Sequence, residues 1–117
     1  MQDELKTGDW REFLLWLVGR RQRFRVTGNS MLPLLKPGEE VLINPRAYRQ
    51  QRPQPGDVVV AHHPDQPNMR LIKRVTALIG PDQVVLTGDN PAESTDSLSF
   101  GPVKDRQIVG QVTSRFG

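Results

Sequence analysis

The sequence predicts a mainly β fold, a twisted antiparallel sheet closing into a partly open barrel, preceded by one short helix. Three observations lead there. Beyond about residue 20 the helical period disappears, and short runs rich in branched residues take over. Clusters of turn-forming residues separate those runs at short intervals. Finally, 117 residues that are 36% hydrophobic and 25% charged have room for one core, so the strands must curl around it to limit exposed edges. The chain therefore reads as a single domain over residues 1–117, with a helical segment within 1–20 and a β body over 22–117.

The helix begins at Asp9, which with Glu12 spells a capping-box-like start, and Trp10, Phe13, Leu14 and Leu17 recur at helical spacing until Gly19. Leu15, Trp16 and Val18 widen its apolar face almost all round. Such a helix is expected to be buried against the body or a partner, or dipped into a membrane surface with Arg20, Arg21, Arg23 and Arg25 beside the headgroups. The predicted strands are Phe24 to Val26, Val41 to Asn44, Asp57 to Ala61, Arg70 to Leu78, Gln83 to Thr87 and Gln107 to Thr113. Between them lie Lys36-Pro37-Gly38, the Pro- and Gln-rich stretch from Pro45 to Gly56, His63-Pro64-Asp65, Gly80-Pro81-Asp82 and Gly88-Asp89-Asn90-Pro91.

Composition excludes several classes of function. Sixteen basic and thirteen acidic side chains leave a net charge of +3, which suits an anionic surface but falls short of a nucleic-acid-binding composition. Without cysteine there is no disulfide framework, thiolate metal site or cysteine nucleophile. His62 and His63 face opposite ways if they lie in a strand, and no further histidine or cysteine completes a ligand set, so neither metal nor cofactor is expected. The longest apolar stretch, Phe13 to Val18, is too short to span a bilayer, and the arginines that follow it are wrongly placed for an export signal. A cytoplasmic location is expected, with at most weak peripheral membrane contact through the N-terminal helix.

Three segments carry chemistry. In Val26-Thr27-Gly28-Asn29-Ser30-Met31-Leu32-Pro33 a strand end turns sharply through Gly28 and Asn29 into Ser30, which is placed either to project as a nucleophile or to be an ordinary loop serine. In Met69-Arg70-Leu71-Ile72-Lys73-Arg74-Val75 the alternation puts Leu71, Lys73 and Val75 on one face and Arg70, Ile72 and Arg74 on the other. Burial among apolar neighbours lowers a lysine pKa, and only a neutral lysine takes a proton from a hydroxyl; the alternative is a stem packed on the sheet with its charge in water. The third segment, Gly88 to Ser97, is a polar loop in which Asp89 and Asp96 are suited to bracing the backbone and Ser94 to offering a hydroxyl to an amine, or else a solvated turn.

Taken in order, Gly28-Asn29-Ser30-Met31-Leu32-Pro33, Gly56-Asp57-Val58-Val59-Val60, Ile72-Lys73-Arg74-Val75 and Gly88-Asp89-Asn90 with Ser94 and Asp96-Ser97 resemble the motifs of the type I signal peptidases. The resemblance runs from about Phe24 to the C-terminus. Among these proteases the chain looks most like a compact branch, the nickel-type superoxide dismutase maturation proteases.

That resemblance implies a signal-peptidase-like barrel and a serine endopeptidase with a Ser/Lys dyad. Ser30 would be the nucleophile, Lys73 the general base, and the backbone N–H of Ser30 an oxyanion donor. Ser94 would orient the lysine, Arg74, Asp89 and Asp96 would support the site, and Gly28 and Met31 would flank the nucleophile. Two positions depart from the pattern: Gly28 stands where some relatives carry an oxyanion-hole hydroxyl, and Leu98 stands where an arginine is usual after the loop aspartate. The first leaves the oxyanion to backbone donors or Thr27, and the second leaves Asp96 needing another partner. The implied partner is a precursor protein, a nickel superoxide dismutase whose N-terminal extension is removed, so that nickel belongs to the substrate. The alternatives are processing of other precursors in the manner of signal peptidase I, or a non-catalytic β-barrel binding module.

Overall fold

The structure, a computed structural model, describes residues 5–93 and 95–116. Its body is one seven-stranded antiparallel sheet that curls into a half-barrel. The strands are β1 (Gln22–Arg25), β2 (Glu40–Asn44), β3 (Val58–His62), β4 (Arg70–Ile79), β5 (Gln83–Thr87), β6 (Val103–Lys104) and β7 (Ile108–Arg115). Their spatial order, β1-β2-β7-β3-β4-β5-β6, leaves β1 and β6 as the open edges. Two short elements escaped the sequence pattern: the two-residue β6 and the single-turn helix α2 (Ser97–Phe100).

β3 is buried on both faces because it lies between two apolar clusters. Val58 and Val60 join Ile72, Val41, Ile43, Val112, Val26, Met31 and Leu35 on one side. On the other, Val59 and Ala61 join Val75, Val84, Leu86 and Val103. Each of these side chains contributes about 1.5–3 kcal/mol on burial, enough to set the register of every central strand.

The curl comes from breaks in the ladders. Pairing skips Thr113 of β7 opposite the Leu42/Ile43 step, Val109 opposite Val60/Ala61, and Thr76 of β4 opposite Leu86/Val85. Each extra residue bends its strand and increases the local twist. Gly110, between two of these bulges, lies so close to β2 that a Cβ would sit 2.5 Å from both Asn44 O and Ile43 Cγ2. Only glycine fits there.

The N-terminal helix, α1 (Trp10–Leu17), is shorter than the helical segment expected within residues 1–20. Residues 6–8 instead run extended along the end of β7, with Arg115 N–H donating to Lys6 O and Gly8 N–H to Arg115 O at 2.8 and 2.7 Å. Asp9 caps the helix by accepting from the amides of Arg11 and Glu12, both at 3.1 Å. Glu12 does not close a capping box. It turns inward to accept from Thr113 Oγ1, from Ser114 Oγ at 3.2 Å and from the Arg21 guanidinium. Burial opposes its charge, but those donors outweigh burial and hold the carboxyl below its ordinary pKa.

Trp16 packs edge-on against Phe116, over which the Arg23 guanidinium stacks at 4.3 Å. The apolar residues expected to bury this helix stay exposed at Trp10, Phe13, Leu14, Leu17 and Val18, although Phe13 also lines a small cavity with Leu42 and Phe116 of the body. No helix among the described residues is long and apolar enough to cross a membrane.

Candidate active site

The segment after β1 stays paired through Val26, whose N–H donates to Glu39 O while its carbonyl accepts from Gly38 N–H, both at 2.8 Å. Gly28, at φ +76°, then redirects the chain. Behind the turn Met31 is fully buried, so its side chain anchors Ser30 from the core side and does not line the cleft. The following Leu32-Pro33 peptide is cis.

The turn is held from across the barrel. Asn90, in the loop after β5, donates its backbone N–H to Ser30 O at 2.8 Å and its side-chain amide to Asn29 O at 3.1 Å. Asn29 in turn donates to Glu93 at 3.2 Å. Two consecutive carbonyls of the serine turn are thus fixed by one residue. Asn90 stands inside the Gly88-Asp89-Asn90 motif, but this role is invisible in sequence, because its partners are main-chain oxygens brought near by the fold.

Lys73 lies on β4 opposite Val59 and is 3% exposed, on the face that carries Val75. Burial lowers its pKa from the ordinary lysine value, and the Asp96 carboxylate opposes that shift without cancelling it. Ser30 and Lys73 line one cleft of about 290 Å³ with Phe24, Thr27, Gly28 and Leu71. The shared cleft sets the serine hydroxyl and the lysine amine at one opening, and catalytic contacts of this kind commonly tighten only on substrate. The Ser30 N–H bonds to no described residue, which leaves it available to an oxyanion.

The supporting charges fall close by. Arg74, on the opposite face of β4, forks onto Asp89 with two bonds of 2.9 Å and donates a third, also 2.9 Å, to Gly56 O. That clamp ties β4 to the loop after β5 and to the turn before β3. Asp96 is buried and accepts from Gly88 N–H at 3.1 Å and Leu98 N–H at 3.0 Å, capping α2. Leu98, which replaces the arginine of the family pattern, is 86% exposed. Backbone amides therefore supply part of what that arginine would. Ser97 Oγ accepts the Leu86 N–H at 2.9 Å. Ser94 lies outside the described residues. His63, by contrast, is buried against Phe100 and accepts from Asp65 N–H, and no group of three metal-ligating side chains occurs among the described residues.

Along Arg70 to Lys73 the strand pairs with β3 on one side only, since β5 begins its ladder at Arg74. The other edge runs beside Ser30 in the cleft, where an extended peptide has backbone donors and acceptors to meet.

Known proteins resemble this chain in sequence. The chain is 34% identical over 110 residues to subunit 1b of the mitochondrial ATP-independent inner membrane protease of Arabidopsis thaliana, covering 75% of this chain and 65% of that protein. It is 37% identical over 102 residues to mitochondrial inner membrane protease subunit 2 of Mus musculus, covering 68% and 57%. A probable signal peptidase I-1 of Synechocystis is 27% identical over 134 residues, covering 78% and 68%. The chain thus spans less than two thirds of the first two relatives. The pattern of the signal peptidase, peptidase S26, family matches residues 13–84, more than half of the sequence and including both Ser30 and Lys73, and the chain belongs to that family.

Proposed function

We propose that this chain is a serine endopeptidase in which Ser30 attacks a peptide carbonyl and Lys73 is the general base. The observation that carries the reading is the pairing, in one cleft, of a serine on a clamped turn with a lysine whose burial favours the neutral amine. Neutral Lys73 takes the Ser30 proton, the serine oxygen forms the acyl-enzyme, and the protonated lysine returns the proton to the leaving amine. Water, deprotonated by the same lysine, then hydrolyses the ester. The Ser30 N–H stabilises the oxyanion, with Thr27, on the cleft wall, a hydroxyl candidate for a second donor.

The substrate we assign is an extended segment of a precursor protein laid along the free edge of Arg70 to Lys73, and specifically the N-terminal extension of a nickel superoxide dismutase precursor. Its support is the likeness of the motif-bearing segments to the maturation proteases of that enzyme. Co-expression with the precursor and intact-mass measurement tests both levels. Loss of the extension with wild type but not with Ser30→Ala supports both. An untouched nickel superoxide dismutase precursor, with Ser30-dependent cleavage of another precursor, would leave the protease standing and remove that substrate.

A further inference from the structure

We infer that Arg70 is a specificity residue, which favours peptides carrying an acidic side chain about three residues from the scissile bond. This rests on the reading of the cleft as a protease site and names what that site prefers. Arg70 opens β4 and lines the same cleft as Ser30 and Lys73. It is exposed, and its side chain makes no hydrogen bond or ion pair among the described residues. Arg74, on the same face of the strand, is by contrast committed to Asp89 and Gly56. The Arg70 guanidinium therefore keeps its donors for the occupant of the cleft.

The strand register says where on the peptide that occupant lies. β3 holds one edge of β4, with Arg70 opposite His62 and Lys73 opposite Val59, and the ladder to β5 starts only at Arg74. A peptide added to the free edge runs alongside with its side chains sharing the faces of β4. Three residues of strand cover about 10 Å, so Arg70 meets the peptide that far along from the lysine, and on the other face, with Ile72. Phe24 packs against the cluster that holds Ile72 and also lines the cleft. A side chain laid there has an apolar wall for its stem and a guanidinium for its tip. A carboxylate suits that tip, since the bound peptide displaces water and makes an Arg–carboxylate pair worth more than an open surface pair. About 10 Å is also one Debye length at 0.1 M salt, which keeps the incoming negative charge from favouring the protonated form of Lys73. Glu93, the other exposed charge on the cleft wall, is tied to the serine turn by the Asn29 amide at 3.2 Å. The cleft thus carries a cation on its β4 side and an anion at the turn, and the acidic preference is confined to the Arg70 end.

The test is digestion of a mixture of synthetic peptides in which Asp, Glu, Asn, Gln, Lys and Arg are rotated through every position, with cut sites read by mass spectrometry. For wild type, kcat/KM with Asp or Glu at one position, about three residues from the cut, should exceed that with Lys or Arg there by about tenfold, and about 0.5 M salt should narrow the ratio. Arg70→Glu should invert the order at that position and nowhere else, and Arg70→Gln should level it. The same order in all three proteins would make Arg70 a solvated arginine and overturn the inference. So would a wild-type preference for Lys or Arg at that position, which would give it to Glu93, or a change spread evenly over all positions, which would reflect net charge alone. Ser30-dependent cutting that is indifferent to residue 70 removes only this selection. Cutting that survives Ser30→Ala removes the protease reading and the inference with it.

Discussion

Asn90 holds Ser30 by its main chain: the Asn90 N–H meets Ser30 O at 2.8 Å while the Asn90 amide meets Asn29 O at 3.1 Å. Truncation to Asn90→Ala removes the second bond and leaves the first. We expect a stability loss of about 1 kcal/mol and a fall in kcat larger than any change in KM, since the turn loosens while the substrate edge on β4 stays. Asn90→Asp, which sets a carboxylate against a carbonyl, should be worse than alanine. Equal kinetics for all three proteins would show that this clamp does not position the serine.

The Arg74–Asp89 fork joins three segments, and its geometry needs a planar guanidinium. Arg74→Lys keeps the charge but cannot reproduce the fork. Denaturant unfolding should show a loss of about 1–3 kcal/mol. An unchanged midpoint would mean that the clamp is a surface pair of little consequence.

Much of this architecture could be read from the sequence, because Asp57 to Ala61, Arg70 to Leu78 and Gln83 to Thr87 are runs rich in branched residues, the first a continuous apolar run buried on both faces and the last alternating between its buried and half-buried faces. Placement of Lys73 on the Val75 face followed from period two alone. What could not be read depends on distant contacts. β6 is two residues after a Gly-Pro pair, too short for any periodic signal, and exists because Val103 completes the cluster around Val84 and Leu86. The direction of α1 was unreadable for a different reason. Its apolar residues run nearly all round, and Glu12 turns inward only because Thr113, Ser114 and Arg21 gather there from elsewhere in the chain.

Gly110 tests the curl of the barrel independently of catalysis. A methyl group at this position meets backbone and side-chain atoms of β2 at 2.5 Å, and neither is the tip of a flexible chain. Gly110→Ala should cost about 1–3 kcal/mol or more by thermal or denaturant unfolding. A variant as stable as wild type would show that β2 and β7 have room to separate.

Lys73 also links stability to pH. Its folded pKa lies below the ordinary 10.5, so between those two values the unfolded chain binds the extra proton and stability rises with pH. Below the lowered value both states are protonated, and the buried ammonium is a fixed cost. Lys73→Met should therefore be at least as stable as wild type at neutral pH, with the difference shrinking as pH approaches 10.5. A wild-type advantage that persists across this range would mean that the ammonium, and not the amine, is the form the fold stabilises.

The most direct measurement is precursor cleavage by Lys73→Arg, followed by intact mass on any precursor that wild type processes. Arginine retains the charge and most of the length, yet its guanidinium does not give up a proton in a protein. With Ser30 as nucleophile and Lys73 as base, Lys73→Arg is as inactive as Ser30→Ala, and wild-type activity rises with pH through an apparent pKa below 10.5. Cleavage by Lys73→Arg at a rate near wild type would contradict the assignment, making Lys73 a structural cation and leaving another group to activate Ser30.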